Sequence, residues 1–431
     1  MRNEDIMRVL IISHTVISRM GNMGKTLLSY FEKFQPDEVA QFYIHSEVPT
    51  DDSVCRNYYR FTDRDALKSL VPLRTYGRAF RREEIQTDRI QSRTDSGFTG
   101  ALYQFGRKRT AGIFAARNTL WKLARWDTKA FWSWVDDFAP DVIFFASGDY
   151  SFAYDIALKT ADHTGKPLVV LCVDDFYLHN RNAHTALGRL THRMFMKTVR
   201  KTMDRAKELY VISESMKLEY EKMFGKRCRV LHTPAVKKEV PSGAPTQLSY
   251  IGNLGLKRYQ QLIRMGRALQ ALGDGDHPRM IDVYSAEQSP EILKDLTQEN
   301  GIRFHGLIAP AEVPEVMGRS MVVIHTESFD ADTVPIVRFS VSTKIAESLM
   351  YGPCLIAFGP EGVASMDYLK ENDAAFVIHD PEQLRDGLGR ILTDEALRQR
   401  IVEKARALAA KNHNADINAA NVRVWLEEAA K

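Results

Sequence analysis

Short apolar runs alternate with longer segments of helical periodicity along most of the chain. Arg8–Ser13 (RVLIIS), Pro140–Ala146 (PDVIFFA) and Leu168–Val173 (LVVLCV) lack polar alternation, so they read as strands covered on both faces. Helical patterns fill Thr26–Phe34, Tyr150–Thr164 and a long basic stretch over 187–206. Leu209–Ile212 and Arg229–His232 predict two further strands. A polar linker from Thr233, with Pro234, Pro241, Gly243 and Pro245, follows. Beyond it the alternation restarts. Strands are expected at Gln247–Ile251, Met280–Tyr284, Ile302–His305, Met321–His325 and Ala375–Ile378, with helices at Arg258–Leu272, Pro290–Asn300, Pro310–Arg319 and from Pro381. Repeated strand–helix units imply parallel, doubly wound α/β sheets. The chain is too long for one ordinary core. A domain 1–240, a domain 241–414 and a last helix over 415–431 are expected. Residues 51–115 show no clear period.

Phe339–Pro360 (FSVSTKIAESLMYGPCLIAFGP) packs the most chemistry into one unit. Ser342 and Thr343 are N-cap candidates. Ile345, Ala346, Leu349 and Met350 form an apolar helical stripe, Gly352 suits a left-handed stop, and Leu355–Ala357 starts a buried strand. A helix start is an anion site, Lys344 adds positive charge, and Glu347 can accept bonds from sugar hydroxyls. Diphosphate on the helix start with ribose on Glu347 is one reading. An ordinary capped helix with a solvated Lys–Glu pair is the other.

The bulk numbers narrow the class. With 431 residues, 44% hydrophobic and 26% charged, the chain reads as soluble and globular. Cys55, Cys172, Cys228 and Cys354 are scattered without metal spacing, as buried reduced thiols would be. Arg8–Ser13 is too short for the apolar core of a signal peptide, so none is expected, and no apolar run reaches about 20 residues. GNMGKT at 21–26 fails the Walker A pattern, because Arg19 stands where its first glycine belongs, and GxxGK is no dinucleotide fingerprint. Gly21 and Gly24 instead suggest a loop that a ligand approaches. Net charge is +4, yet residues 56–130 hold 17 Lys/Arg against seven Asp/Glu. Such asymmetry points to an anionic partner. Trp121, Trp126, Trp132 and Trp134 fall in or beside this region, as core residues or as interfacial anchors.

Four pieces in order then resemble one family. "RAKELYVISESMKLEYEKMFG" followed by "RVLHTP", "LSYIGNLGLKRYQQLI", "IRFHGLIAPAEVPEVMGRSMVVIHT" and "STKIAESLMYGPCLIAFGP" are similar to segments of GT-B-fold glycosyltransferases, most of all the large retaining family of bacterial polysaccharide transferases. The resemblance implies two Rossmann-like domains facing across a cleft. It implies that Gly252 and Asn253 admit the donor phosphates, that Lys257, with Arg258 second, neutralises them, and that Leu307 and Ile308 flank the base. Ser342 and Thr343 would present amides, Lys344 a charge and Glu347 the ribose contact. Gly21, Asn22, Gly24 and Lys25 would line the acceptor side. The family's carboxylate eight positions before the ribose-binding Glu is here Phe339; Glu327, Asp330 or Asp332 are the candidates to replace it.

The expected function is transfer of a sugar from a UDP- or GDP-linked donor to a glycan or lipid-linked acceptor, in bacterial surface polysaccharide or glycoconjugate synthesis. Cationic residues rather than a metal or cofactor would stabilise the leaving diphosphate. An inverting route needs a base, and His14, Asp174 and Asp175 lie where strands of the first domain end; a retaining route lets the donor phosphate take the proton. The alternatives are a non-catalytic GT-B glycan-binding or partner subunit, or an enzyme like the nucleotide-sugar epimerases. A cytoplasmic protein is expected, either free or peripheral on an anionic membrane face through residues 56–135, with no nucleic-acid partner.

Overall fold

Two parallel sheets carry the strand–helix alternation in a computed structural model that describes residues 6–19, 22–71, 76–80, 82–85, 111–179, 184–241, 245–273 and 280–431. By its contacts the chain divides into unit 1, Met1–Leu231 with Asn418–Lys431, and unit 2, His232–Ile417.

Unit 1 holds β1 (Val9–Ser13), β2 (Val39–Tyr43), β3 (Asn57–Arg60), β4 (Arg78–Phe80), β5 (Val142–Ala146), β6 (Leu168–Cys172), β7 (Glu208–Val211) and β8 (Cys228–Val230). They run in the order β4-β3-β2-β1-β5-β6-β7-β8, and only the β3–β4 pair is antiparallel among the described residues. Every residue of β1, β5 and β6 is buried, which is why their sequences show no alternation.

Residues 39–80 contain three strands and a helix that the hydrophobic pattern does not reveal. In β2 the polar Gln41 is fully buried, because its amide donates to Ser13 Oγ (2.7 Å) and the Thr15 carbonyl (2.9 Å) and accepts from Ile17 N–H (2.9 Å). A satisfied side chain is tolerated inside, but it breaks the apolar signature. The helix Asp63–Ser69 opens with a reciprocal Thr62–Asp65 capping box. The helix expected from Thr26 begins at Asn22. Gly24 therefore lies in its first turn, where a Cβ would meet Ser18 Oγ at 2.7 Å and the Val16 carbonyl at 2.8 Å. Lys25 is exposed on the same turn, and Gly21 and the Asn22 side chain lie outside the described residues.

The tryptophans serve packing, which corrects the membrane-anchor reading. Trp121 and Trp126 are buried. Trp121 stacks on Phe152 at 4.3 Å, Trp132 stacks on His163 at 4.2 Å, and Trp134 leans on Tyr59 at 5.3 Å. All four cysteines are free and buried, and burial pushes the Cys55 and Cys354 thiols up to about 12. Among the described residues no helix is long and apolar enough to cross a membrane.

Unit 2 holds β9 (Gln247–Ile251), β10 (Ile281–Tyr284), β11 (Ile302–Gly306), β12 (Ser320–Thr326), β13 (Cys354–Phe358) and β14 (Phe376–Ile378), in the order β11-β10-β9-β12-β13-β14. Renumbered within the unit this is 3-2-1-4-5-6, the Rossmann order, with its switch point between β9 and β12. Both faces are covered: Cys354, Ile356 and Phe358 of β13 join one apolar cluster, while Leu355 and Ala357 join another.

The last helix, Ala415–Ala430, belongs mostly to unit 1. Val422, Leu426 and Ala429 enter the core that contains Val9, Phe31 and Tyr210. Arg423 binds Glu38 with two bonds (3.0 and 3.1 Å), and Arg229 links Glu208 (2.9 Å) to Glu428. Leu426→Ala should cost about 2–5 kcal/mol, the range for emptying a core leucine site. Denaturant unfolding followed by fluorescence should show an earlier transition for unit 1 and an unmoved one for unit 2.

Candidate functional site

The loops after β9 and β12 meet at the switch point of unit 2. After β9 the chain turns tightly. Gly252 N–H donates to the Tyr284 carbonyl (3.0 Å), Tyr250 Oη–H donates to the Asn253 carbonyl (2.6 Å), and Gly255 N–H donates to Asn253 Oδ1 (2.6 Å). Asn253 thus shapes the turn. Leu256 and Lys257 are both left-handed, with φ of +56° and +59°. Such residues cost about 1–3 kcal/mol each and persist where surroundings hold them; here Leu256 packs against the cluster of Ile345 and Leu349.

The strain aims Lys257 and Arg258 at the β12 loop. Arg258 grips Glu327 with two bonds of 2.9 Å, and Glu327 is 3% exposed. Burial pushes the Glu327 carboxyl up and the guanidinium pulls it back. Lys257 Nζ lies 3.0 Å from Asp330 and 3.1 Å from Asp332. The two pairs differ in kind. A buried bidentate pair is locked, because removing one partner strands a charge. The Lys257 pairs are exposed, so water and anions compete for them. Arg258 is therefore a structural strut, and Lys257 is the exchangeable cation. Glu327, being spoken for, does not replace the family's missing carboxylate. Asp330 and Asp332 remain on the site's edge. Phe339 is buried against the Arg338 guanidinium, 4.7 Å from its ring centroid.

The helix Thr343–Tyr351 starts at this same end, because it runs back from the β12 loop to β13. Ser342 is the N-cap and accepts from Lys344 N–H (3.3 Å), which makes Thr343 the first helical residue. Lys344 pairs with Glu347 at 3.0 Å, another exposed and exchangeable contact. Gly352 is not left-handed as expected: its φ is −72°. It must be glycine for space, since a Cβ would meet the Ser348 carbonyl at 2.7 Å. Arg406 caps the helix end on the Ser348, Leu349 and Gly352 carbonyls, as a cation suits the negative pole. Ile308 packs against the cluster shared with Val341 and Leu256, while Leu307 is 76% exposed. Lys257, Ile308 and the Ser342–Glu347 turn thus converge.

A second cluster lies at the switch point of unit 1, between β1 and β5. The His14 carbonyl accepts from Ile44 and His45 N–H, and the ring sits 5.7 Å from Tyr150 and 6.1 Å from Phe152. Gly148 makes room, as a Cβ there would come within 2.9 Å of the imidazole. His14 Nε2 is buried and has no hydrogen-bond partner among the described residues. Burial, then the charge of Arg117 and His45, hold the ring neutral. Arg117 stacks over Tyr150 at 4.0 Å and pairs with Asp63. Neither Arg117 nor Tyr150 was marked by the sequence pattern; only the fold brings them to His14. Asp175 has a different job. Its Oδ1 accepts from Tyr177 N–H, Leu178 N–H and Tyr220 Oη–H, at 3.1, 3.1 and 2.9 Å. Asp174 caps the Asp175 N–H at 3.0 Å.

Comparison with known proteins bears on the fold. Residues 266–423 match the family model described as glycosyl transferase-like. No curated protein matches the sequence. Among solved structures, HepE of Anabaena in complex with UDP and glucose superposes with a TM-score of 0.59 at 13% identity, covering 98% of this chain and 100% of that one. The sucrose-phosphate synthase of Thermosynechococcus elongatus gives 0.61 at 12%, covering 98% of each. TarM gives 0.63 at 9%, covering 100% of each. The chain has the GT-B fold of two Rossmann-like domains. The glycosyl transferase-like match falls almost wholly within its second unit.

One buried neighbour of the strut has a measurable consequence. His325 Nε2 lies 3.0 Å from Ser365 Oγ and 3.8 Å from Glu327. Burial, with Arg258 behind it, lowers its pKa to about 3. An unfolded histidine titrates near 6.5, so below that the unfolded chain takes a proton that the fold refuses. Stability therefore falls as pH drops from about 6.5 towards 3, by about 2 kcal/mol at pH 5. His325→Gln should flatten that part of the pH dependence in chemical unfolding measured at pH 7 and pH 5.

Proposed function

We propose that this protein is a glycosyltransferase that takes a sugar from a UDP- or GDP-linked donor and passes it to a glycan or lipid-linked acceptor in bacterial surface polysaccharide or glycoconjugate synthesis. The observation that carries the reading is the convergence of two exchangeable cations, Lys257 and Lys344, with the Ser342-capped helix start at the switch point of unit 2. That arrangement suits a diphosphate. Structures of the same fold in complex with UDP, such as HepE, support the uridine nucleotide of the two.

In this reading the donor diphosphate displaces Asp330 and Asp332 from Lys257, and Lys344 turns from Glu347 to the phosphates. Glu347 is then free to accept from the ribose hydroxyls, and Leu307 and Ile308 cover the base. As the glycosidic bond breaks, charge grows on the diphosphate, and fixed cations with helix-start amides stabilise it. No metal is assigned a part in the step.

For the acceptor proton, His14 suits the work better than Asp174 or Asp175. It is neutral and its Nε2 is uncommitted, whereas Asp175 already accepts three bonds. His14→Ala should lower kcat by about 10²–10⁴, the usual worth of a general base. An unchanged kcat would remove His14 as the base, leaving Asp174, Asp175 or, on the retaining route, the donor phosphate.

A second reading, a GT-B protein that binds donor without turnover, is favoured by one observation. Phe339 fills its position from within the core, leaving no carboxylate there for the sugar. Hydrolysis of UDP-glucose or GDP-mannose by purified protein separates the two.

The donor site itself is tested by calorimetry with UDP and GDP. Lys257→Ala should weaken binding roughly 10- to 100-fold, as expected for lost hydrogen bonds to a charged group. Asp330→Asn with Asp332→Asn should tighten it, since the carboxylates compete with the phosphates. Unchanged affinity in both variants would mean that the phosphates bind elsewhere.

A further inference from the structure

The helix Ala186–Arg205 of unit 1, between β6 and β7, has two unlike faces. Gly188, Phe195, Val199, Thr202 and Met203 are buried and seat it. On the opposite side Leu187, Leu190 and Met194 are 45%, 55% and 50% exposed. Their spacing of three and four places them in one stripe. Thr185 caps the helix start through Gly188 N–H, so the stripe is not the product of fraying.

Charge surrounds the stripe with one sign. The helix carries six Lys/Arg and a single Asp. Arg200 is engaged by Asp204 and the Met223 carbonyl, and Arg205 by Asp162. Arg193, Lys197 and Lys201 are exposed beside the stripe. On a helical projection Lys197 and Lys201 fall within the same sector as Leu190 and Met194.

We propose that this face of the helix docks on an anionic lipid surface, lying in the plane of the headgroups. An exposed apolar stripe bracketed by lysine and arginine is what an interfacial helix presents. A second copy of this chain fits worse, since face-to-face pairing would set Arg193, Lys197 and Lys201 against their own like. Single-stranded nucleic acid fits worse too, since Phe195 is turned inward with His192 leaning on it, and the exposed stripe itself carries no ring for bases to stack on. The proposal moves the membrane-facing surface away from the tryptophan segment, whose rings are used in packing. It does not depend on the donor site, and its readout is independent of sugar transfer.

The test is co-sedimentation of the full-length protein with two kinds of vesicle, phosphatidylcholine alone and phosphatidylcholine with phosphatidylglycerol. Binding to the anionic vesicles only, lost at high salt, is expected. Arg193→Glu with Lys197→Glu should lower the partition coefficient at least tenfold, since each basic residue near the surface contributes about fivefold. Leu190→Ser with Met194→Ser should lower it severalfold at low salt, where the wild type binds. Because all four residues are exposed, both variants should keep the wild-type melting curve and UDP affinity; if one misfolds, the other decides. Wild type bound to neither vesicle, variants bound as tightly as wild type, or a concentration-dependent dimer dispersed by the variants would each overturn the proposal.

Discussion

The buried bidentate bond between Arg258 and Glu327 is the constraint on which the candidate donor site depends. It joins the first residue of a helix to the residue that follows β12, across the point where the sheet reverses its order. With that span fixed, two strained residues, Leu256 and Lys257, can be held left-handed. A buried pair of this kind is weak evidence for net stability, because desolvation offsets much of the attraction. Its value here is positional. It removes Arg258 from the pool of available cations and leaves Lys257 on the surface, where its carboxylate partners are easily exchanged.

The same division between committed and available groups runs through unit 1. Asp175 accepts three hydrogen bonds and Gln41 makes three, and both shape the loops around them. His14 differs: its ring lies among aromatics and its Nε2 has no partner among the described residues. A buried polar atom left unsatisfied is costly, so it calls for a chemical reason, and proton transfer to a bound acceptor supplies one. The last helix completes the unit from far along the chain, through three buried apolar residues and two arginine–carboxylate links.

Much of the architecture could be read from the order of residues. Parallel strands buried on both faces leave uninterrupted apolar runs, so β1, β5, β6 and β13 stood out, as did the helices between them. The helix cap at Ser342 and the Lys344–Glu347 pair are local, set by residues within one turn, and local chemistry is legible. Strands β2 to β4 were hidden for the opposite reason. A buried Gln41 and an edge hairpin depend on neighbours distant in sequence.

Side-chain roles divide the same way. The sequence alone determined which residues could bear charge near a phosphate: Lys257, Arg258 and Lys344. It could not determine which of them were free to do so. That depends on Glu327, Asp330 and Asp332 lying opposite, 69 to 75 residues along the chain. Nor could it tell that four tryptophans and Phe339 are packing residues, or that Gly352 serves space rather than a left-handed turn. Periodicity and capping are encoded within a few residues. Whether a cation is locked, a ring buried or a glycine crowded is decided by what another part of the chain places against it, and only the tertiary structure makes that choice.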